Sequence, residues 1–222
     1  PEEFPLVLTV FMVMGAWRIS RAGVLTRKAS AIETLGSATV LCTDKTGTLT
    51  ENRMAVAGGW LKGRFVETGT SDGANPDLAA LARVGSLASA ISPFDPMERA
   101  LQAAAGGDKA PDDWSLVKIY GLRPDLLAVT HVWAAPNEAH RIVAAKGAPE
   151  AIAGLCGLSP SHRAEMLGAV EALASRGMRV LGLAEGRLGA ELLPETPQGL
   201  ELEFIGLIGL ADPVRKDVPD AV

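Results

Sequence analysis

Two apolar runs that each stop at an aspartate constrain the fold of this chain more than any other feature. One is ATVLCT, residues 38–43, ending at Asp44; the other is FIGLIGLA, residues 204–211, ending at Asp212 and Pro213. Short runs like these, bare of charge and partly β-branched, suit strands covered on both faces. They read as neighbours in one parallel sheet, interrupted by a long insertion. A ligand would sit at the carboxyl ends of such strands.

The insertion mixes strands and helices in an α+β pattern. Residues 54–68 read as one or two strands broken at Gly58-Gly59 and Gly63. A loop, GTSDGANP (69–76), precedes a helix over 77–89, with Asn75 or Asp77 as its cap. Pro96 opens a second helix reaching residue 105. After the loop GGDKAPDD, the pattern predicts strands near 115–120, 126–133 and 141–146. Helices at 149–156 and 162–176 and strands at 178–184 and 202–210 complete the chain, with no internal repeat.

With 222 residues, 48% of them hydrophobic, the chain has material for one large domain or two modest ones. A net charge of −5 argues against a nucleic-acid surface. Cys42 and Cys156 match no metal-ligand spacing and read as reduced core residues of a cytosolic domain. His131, His140 and His162 show no ligand spacing either. The chain starts with acid rather than a basic segment, so no signal peptide is expected. FPLVLTVFMVMGAW (4–17) carries no charge. Its 14 residues would make about 21 Å of helix against a bilayer core of roughly 30 Å. That length suits a buried core helix, or one half of a spanning helix. Arg18, Arg21, Arg27 and Lys28 follow, as where a helix emerges into cytoplasm.

Asp44 is followed by Lys-Thr-Gly-Thr, an arrangement suited to phosphoryl transfer. A carboxylate there can attack phosphorus and form an acyl phosphate. Gly47 permits a tight turn that brings amides to phosphate oxygens. Thr46 and Thr48 offer hydroxyl donors, and Asp44 with a backbone carbonyl could hold Mg²⁺.

The run D-K-T-G-T-L-T (44–50) resembles the signature of the P-type ATPases, ion pumps of the haloacid-dehalogenase-like superfamily. Seven consecutive matches after an apolar run are specific where a lone D-x-x-G-T is not. The resemblance gives Asp44, Lys45, Thr46 and Thr48 catalytic roles, with Asp44 and Thr46 also at Mg²⁺. In the superfamily's phosphatases the residue two after the nucleophile is a second aspartate, a general acid–base. Thr46 cannot do that work near neutral pH, so the acyl phosphate should persist, as a pump requires.

Other segments resemble the same family in the expected order. PEEFP (1–5) looks like the unwound part of the pumps' fourth membrane helix, where Glu2, or else Glu3, would coordinate the transported cation. The cysteine pair of heavy-metal pumps is not there, so the likeness is to calcium-like, type II pumps, although Glu-Phe is not the commonest calcium pattern. FDPMERA (94–100) resembles the nucleotide domain's D-P-x-E-x-A element, with Glu98 near adenine. KGAPE (146–150) implies that the Lys146 charge reaches the nucleotide and that Gly147 leaves room for the base. GMRVLGLA (177–184) implies Arg179 as a phosphate clamp. LADPVRKDV (210–218) resembles the D-P-x-R hinge, placing Asp212 and Arg215 close to the nucleotide, with Asn52 and Arg53 on the outgoing hinge strand. The family's adenine-stacking aromatic is replaced by Leu122, and a nearby lysine by Leu127. Tyr120 and Arg123 both offer a flat face; otherwise the stack is weaker. SDGANP (71–76) superficially resembles a later pump motif but reads as a loop.

The resemblance thus implies an α/β fold: a partial Rossmann-like phosphorylation domain with an inserted α+β nucleotide-binding domain and an N-terminal half transmembrane helix. The expected divisions are 1–20 (membrane helix), 21–52 (phosphorylation domain), 53–205 (nucleotide domain) and 206–222 (phosphorylation domain resumed). The implied partners are ATP, Mg²⁺, a transported cation with calcium favoured, and membrane lipid, but no nucleic acid. The implied location is a multi-pass membrane protein, in the plasma membrane of a bacterium, with a cytoplasmic nucleotide domain. Further elements of the pumps would lie outside residues 1–222, and the chain alone should bind nucleotide without turnover. A soluble phosphatase of the same superfamily and a non-catalytic nucleotide-binding module are the alternatives.

Overall fold

The computed structural model describes residues 3–28, 30–68, 75–106, 110–111, 113–136, 139–189 and 193–221. Glu2, most of the loop at 69–76 and part of the loop at 106–113 lie outside the described residues. The chain divides into two units, Pro1–Asp44 and Lys45–Val222.

The first unit contains two helices, α1 (Glu3–Arg21) and α2 (Ser30–Gly36). α1 has 19 residues, longer than the uncharged run, because Arg18–Arg21 continue it. At 1.5 Å per residue it is about 28 Å long. It is long and apolar enough to cross a membrane, by length and composition. None of its residues is buried, so it is not the core helix that its length alone suggested. Residues 38–43 are not the expected strand. They form no ladder, and Val40 and Leu41 are 77% and 84% exposed. A run suited to burial on both faces becomes a strand only where neighbours supply ladder and cover, and here neither is present. Cys42 is accordingly exposed rather than in a core.

The second unit is built on one seven-stranded sheet. Its strands are β1 (Ala55–Leu61), β2 (Arg64–Glu67), β3 (Ser115–Tyr120), β4 (Ala128–Ala134), β5 (Arg141–Gly147), β6 (Arg179–Leu188) and β7 (Glu203–Ala211). The order is β2-β1-β7-β6-β5-β4-β3, and every pairing is antiparallel. β7 therefore lies inside an antiparallel sheet between β1 and β6, not beside residues 38–43 in a parallel one.

Helices explain why antiparallel strands look like parallel ones in sequence. α3 (Pro76–Leu87) and α4 (Pro96–Ala104) cover one face; α5 (Pro149–Leu155) and α6 (Pro160–Ala174) cover the other. Adjacent strand residues then enter different cores. Ile208 and Leu210 pack with Leu78, Leu81 and Leu101, whereas Leu207 packs with Met166 and Leu173. Ala144 faces the first layer, and Val143 and Ala145 the second with Ile152. With no solvated face, the usual polar alternation disappears.

The helix starts follow local chemistry. The Asn75 side chain, not Asp77, caps α3 by accepting the Asp77 amide at 3.0 Å. Asp95 caps α4, accepting the amides of Met97 (2.7 Å) and Glu98 (3.2 Å), with Pro96 at the first turn. This cap fixes where Glu98 points.

Candidate functional site

The loop from α3 to α4, the start of α4, the β3–β4 hairpin and the end of β5 together enclose a cleft of about 850 Å³. Glu98, Leu122, Lys146 and Gly147, four of the residues singled out from sequence, line it. Lys146 is 8% exposed, so its ammonium requires partners. It donates to Glu98 Oε1 at 2.6 Å and to Ser89 Oγ at 2.5 Å. Glu98 Oε2 accepts the Ala90 amide at 3.3 Å, and the Ser89 hydroxyl donates in turn to the Gly85 carbonyl at 2.7 Å. α3 and its following loop are thus fastened to α4 and β5 through one lysine. Burial lowers the Lys146 pKa, and the hydrogen bond and charge of Glu98 oppose that shift.

The remaining walls are apolar. Leu122 and Leu127 stand where the resemblance expects an aromatic and a lysine, and they are 64% and 51% exposed into this region. Tyr120 does not fill the gap. It is 7% exposed, packs in the core beneath α5, and donates its hydroxyl to the Pro194 carbonyl at 2.6 Å. Arg123 is paired with Asp125 at 3.0 Å. The aromatic lining the cleft is instead Phe94. Gly147 has a reason of its own for lacking a side chain: a Cβ there would run into the Leu127 carbonyl oxygen and come within 2.6 Å of the Ala128 Cα. Arg179 begins β6 and reaches the Sδ of Met97, a lining residue, at 3.7 Å.

The threonine run forms a second cluster, from Lys45 onward. Lys45–Leu49 coil into a turn in which Thr46 is extended and Gly47 has φ +81°, the left-handed region glycine adopts freely. Thr46 and Thr48 are exposed. Thr50, by contrast, is 1% exposed and organises the turn. Its hydroxyl accepts the Gly47 amide at 3.2 Å and donates to Asp212 Oδ2 at 2.5 Å. Asp212 Oδ1 accepts the Arg53 amide at 3.0 Å. Arg215 donates to the carbonyls of Gly47 (2.8 Å) and Thr50 (3.1 Å). Asp212 and Arg215 therefore clasp the turn; neither lines the cleft. The Thr50 hydrogen bond, above all, holds the Asp212 carboxyl below its ordinary range. Asp44 is exposed in the first unit, where the Thr43 hydroxyl donates to its backbone carbonyl at 3.2 Å.

Three residues of these clusters escaped the sequence: Ser89, Phe94 and Thr50. Thr50 carried a signal, since it ends the D-K-T-G-T-L-T run three places after the turn glycine. Phe94 stood directly before the Asp-Pro cap of α4. Ser89 had none, because its role depends on where β5 lies.

The family model described as P-type ATPase, cytoplasmic domain N, matches residues 128–217. Among curated proteins, the probable cation-transporting ATPase F of Mycobacterium tuberculosis is 32% identical, across 100% of this chain and 29% of that protein. The probable cation-transporting ATPase I of Mycobacterium leprae is 32% identical over 97% of this chain and 14% of its own length. The sodium/potassium-transporting ATPase subunit alpha of Hydra vulgaris is 29% identical over 100% and 26%. The chain thus spans less than a third of these relatives. Signature run, nucleotide-type domain and relatives all point to one family, the P-type cation-transporting ATPases.

Proposed function

We propose that the chain supplies the ATP-binding cleft and the phosphorylated aspartate of a membrane cation pump. The observation that carries this reading is the buried Lys146–Glu98 pair at the end of an apolar cleft, in a domain of the P-type ATPase N type. A flat base suits the apolar walls, and Lys146 and Arg179 supply positive charge for the nucleotide. Asp44 would form a bond from a carboxylate oxygen to the γ-phosphorus of ATP while the bond to the ADP oxygen breaks. Lys45, Thr46 and Thr48 would neutralise and hydrogen-bond the transferred group. Thr46 provides no general base, so the acyl phosphate would outlast a conformational change.

Asp44 and the Thr46 carbonyl are oxygen donors of the kind Mg²⁺ takes, and phosphate and water would complete its shell. Bound there, the ion would offset phosphate charge. Among the described residues no group of three or more His, Cys, Asp or Glu could hold a metal without such help. We assign residues 1–20 to a membrane helix, 21–52 and 212–222 to the phosphorylation domain, and 53–211 to the nucleotide domain, moving the expected boundary at 205 to the end of β7, a strand of that domain's sheet. Glu2 would touch the transported cation. A calcium-like ion is favoured by the Pro-Glu-Glu-Phe-Pro run alone, and a bacterial plasma membrane by the basic residues after α1 and the mycobacterial relatives.

The test is phosphorylation of the full-length protein from γ-labelled ATP. An acid-stable, hydroxylamine-labile phosphoprotein whose level depends on a cation is expected. Asp44→Asn should abolish it and leave ATP binding intact. Rapid release of phosphate from small esters would favour a phosphatase. ATP binding with no phosphoprotein would favour a binding module.

A further inference from the structure

Phe94 is 89% exposed, the most exposed large apolar side chain among the described residues. It is nevertheless placed by definite contacts. The cap of α4 begins at the next residue, Asp95. The Arg99 guanidinium lies 5.7 Å from the ring centroid, and its Nε donates to the Pro93 carbonyl at 3.2 Å. The cation is thus tied to the backbone on which the ring stands. Phe94 lines the cleft and Arg99 does not. The ring therefore has a cation holding it from outside and an open apolar cavity beside it. Leu122 and Leu127 add exposed aliphatic surface from a different loop, and the cleft's buried charge, Lys146 with Glu98, stands within the same walls.

We propose that Phe94 is the platform on which the base of a purine nucleotide stacks. An exposed ring gains little in water, but a ring face covered by a flat heterocycle gains both area burial and π-stacking. A guanidinium next to the ring polarises it and limits its rotamers. Leucines at 122 and 127 give the base apolar contact without a stacking face. This inference rests on reading the cleft as the nucleotide site, and it specifies which residue takes the base.

The test uses the 222-residue chain titrated with ATP and, separately, with inorganic tripolyphosphate. The unaltered chain is compared with Phe94→Leu, Phe94→Trp and Lys146→Gln, with thermal melting to confirm folding. Because Phe94 is exposed, neither replacement there should alter the melt. Phe94→Leu is expected to weaken ATP about tenfold and leave tripolyphosphate unchanged. Phe94→Trp should hold ATP within about twofold, and its indole emission should be quenched by ATP. If Phe94→Leu binds ATP like the unaltered chain while Lys146→Gln weakens it, the platform is overturned and the nucleotide cleft stands. If the unaltered chain binds no ATP, both are overturned.

Discussion

Lys146 holds the fold together at the wall of the proposed nucleotide cleft. It is buried, and its ammonium donates to Glu98 on α4 and to Ser89 in the loop after α3. Removing one member of such a pair leaves the other desolvated and uncompensated. Glu98→Ala should therefore lower stability by about 2 kcal/mol in urea unfolding, and Glu98→Gln with Lys146→Gln together should cost less than the sum of the two. His131 gives a pH prediction. Its pKa lies below 6.5, because burial, and then the charge of Lys146, disfavour the imidazolium. Between the folded value and 6.5 the unfolded chain binds more protons. Stability contributed by the neutral ring is thus present above that window and falls on acidification through it. The urea midpoint of the unaltered chain should drop more than that of His131→Gln between neutral pH and about pH 5. Cys156 will be a slow thiol: burial, with the Glu203 charge, pushes its pKa up to about 12. At this scale the sequence was informative where a residue's partners are near in the chain. Glu98 was legible through the resemblance of FDPMERA to the D-P-x-E-x-A element, whose residues are neighbours in the chain. Phe94 was not, because what makes it available is the orientation of a loop against a hairpin.

Elements were legible from capping and composition, and their pairing was not. Helical spacing with a cap at Asn75 or Asp77, and Pro96 at a first turn, marked α3 and α4 within two residues of where they begin and end. Strands β3 to β7 fell close to their expected positions. Residues 38–43 carried the same apolar, β-branched character as β7 yet form no strand. Local composition describes the neighbours a strand needs, not whether it has them. Gly147 illustrates the converse. The resemblance implied space for a base, whereas the close approach of β4 already forbids a side chain. Gly147→Ala should destabilise the domain by at least about 2 kcal/mol in thermal or urea unfolding, nucleotide or not. The clasp on the threonine turn gives a second prediction. Asp212→Ala removes acceptors of the Thr50 hydroxyl and the Arg53 amide. Amide exchange at residues 47–53 should accelerate, while β4 and β5 keep their protection.

In the second unit as a whole, a single antiparallel sheet separates two helical layers, so cavities open on both sides. The cleft with Lys146 lies with α4, and another of about 630 Å³ is lined by Trp60, Glu165 and Phe204 on the α6 side. Volume does not distinguish them, but chemistry does: the first contains the buried cation and the exposed ring, and four residues legible in the sequence. The most direct measurement is backbone amide NMR of the 222-residue chain titrated with ATP. The account predicts saturable shifts concentrated at residues 90–98, 122–129 and 146–148, with α6 and residues 202–205 unmoved. Shifts clustered around Trp60, Glu165 and Phe204 instead, or none at saturating ATP, would contradict it.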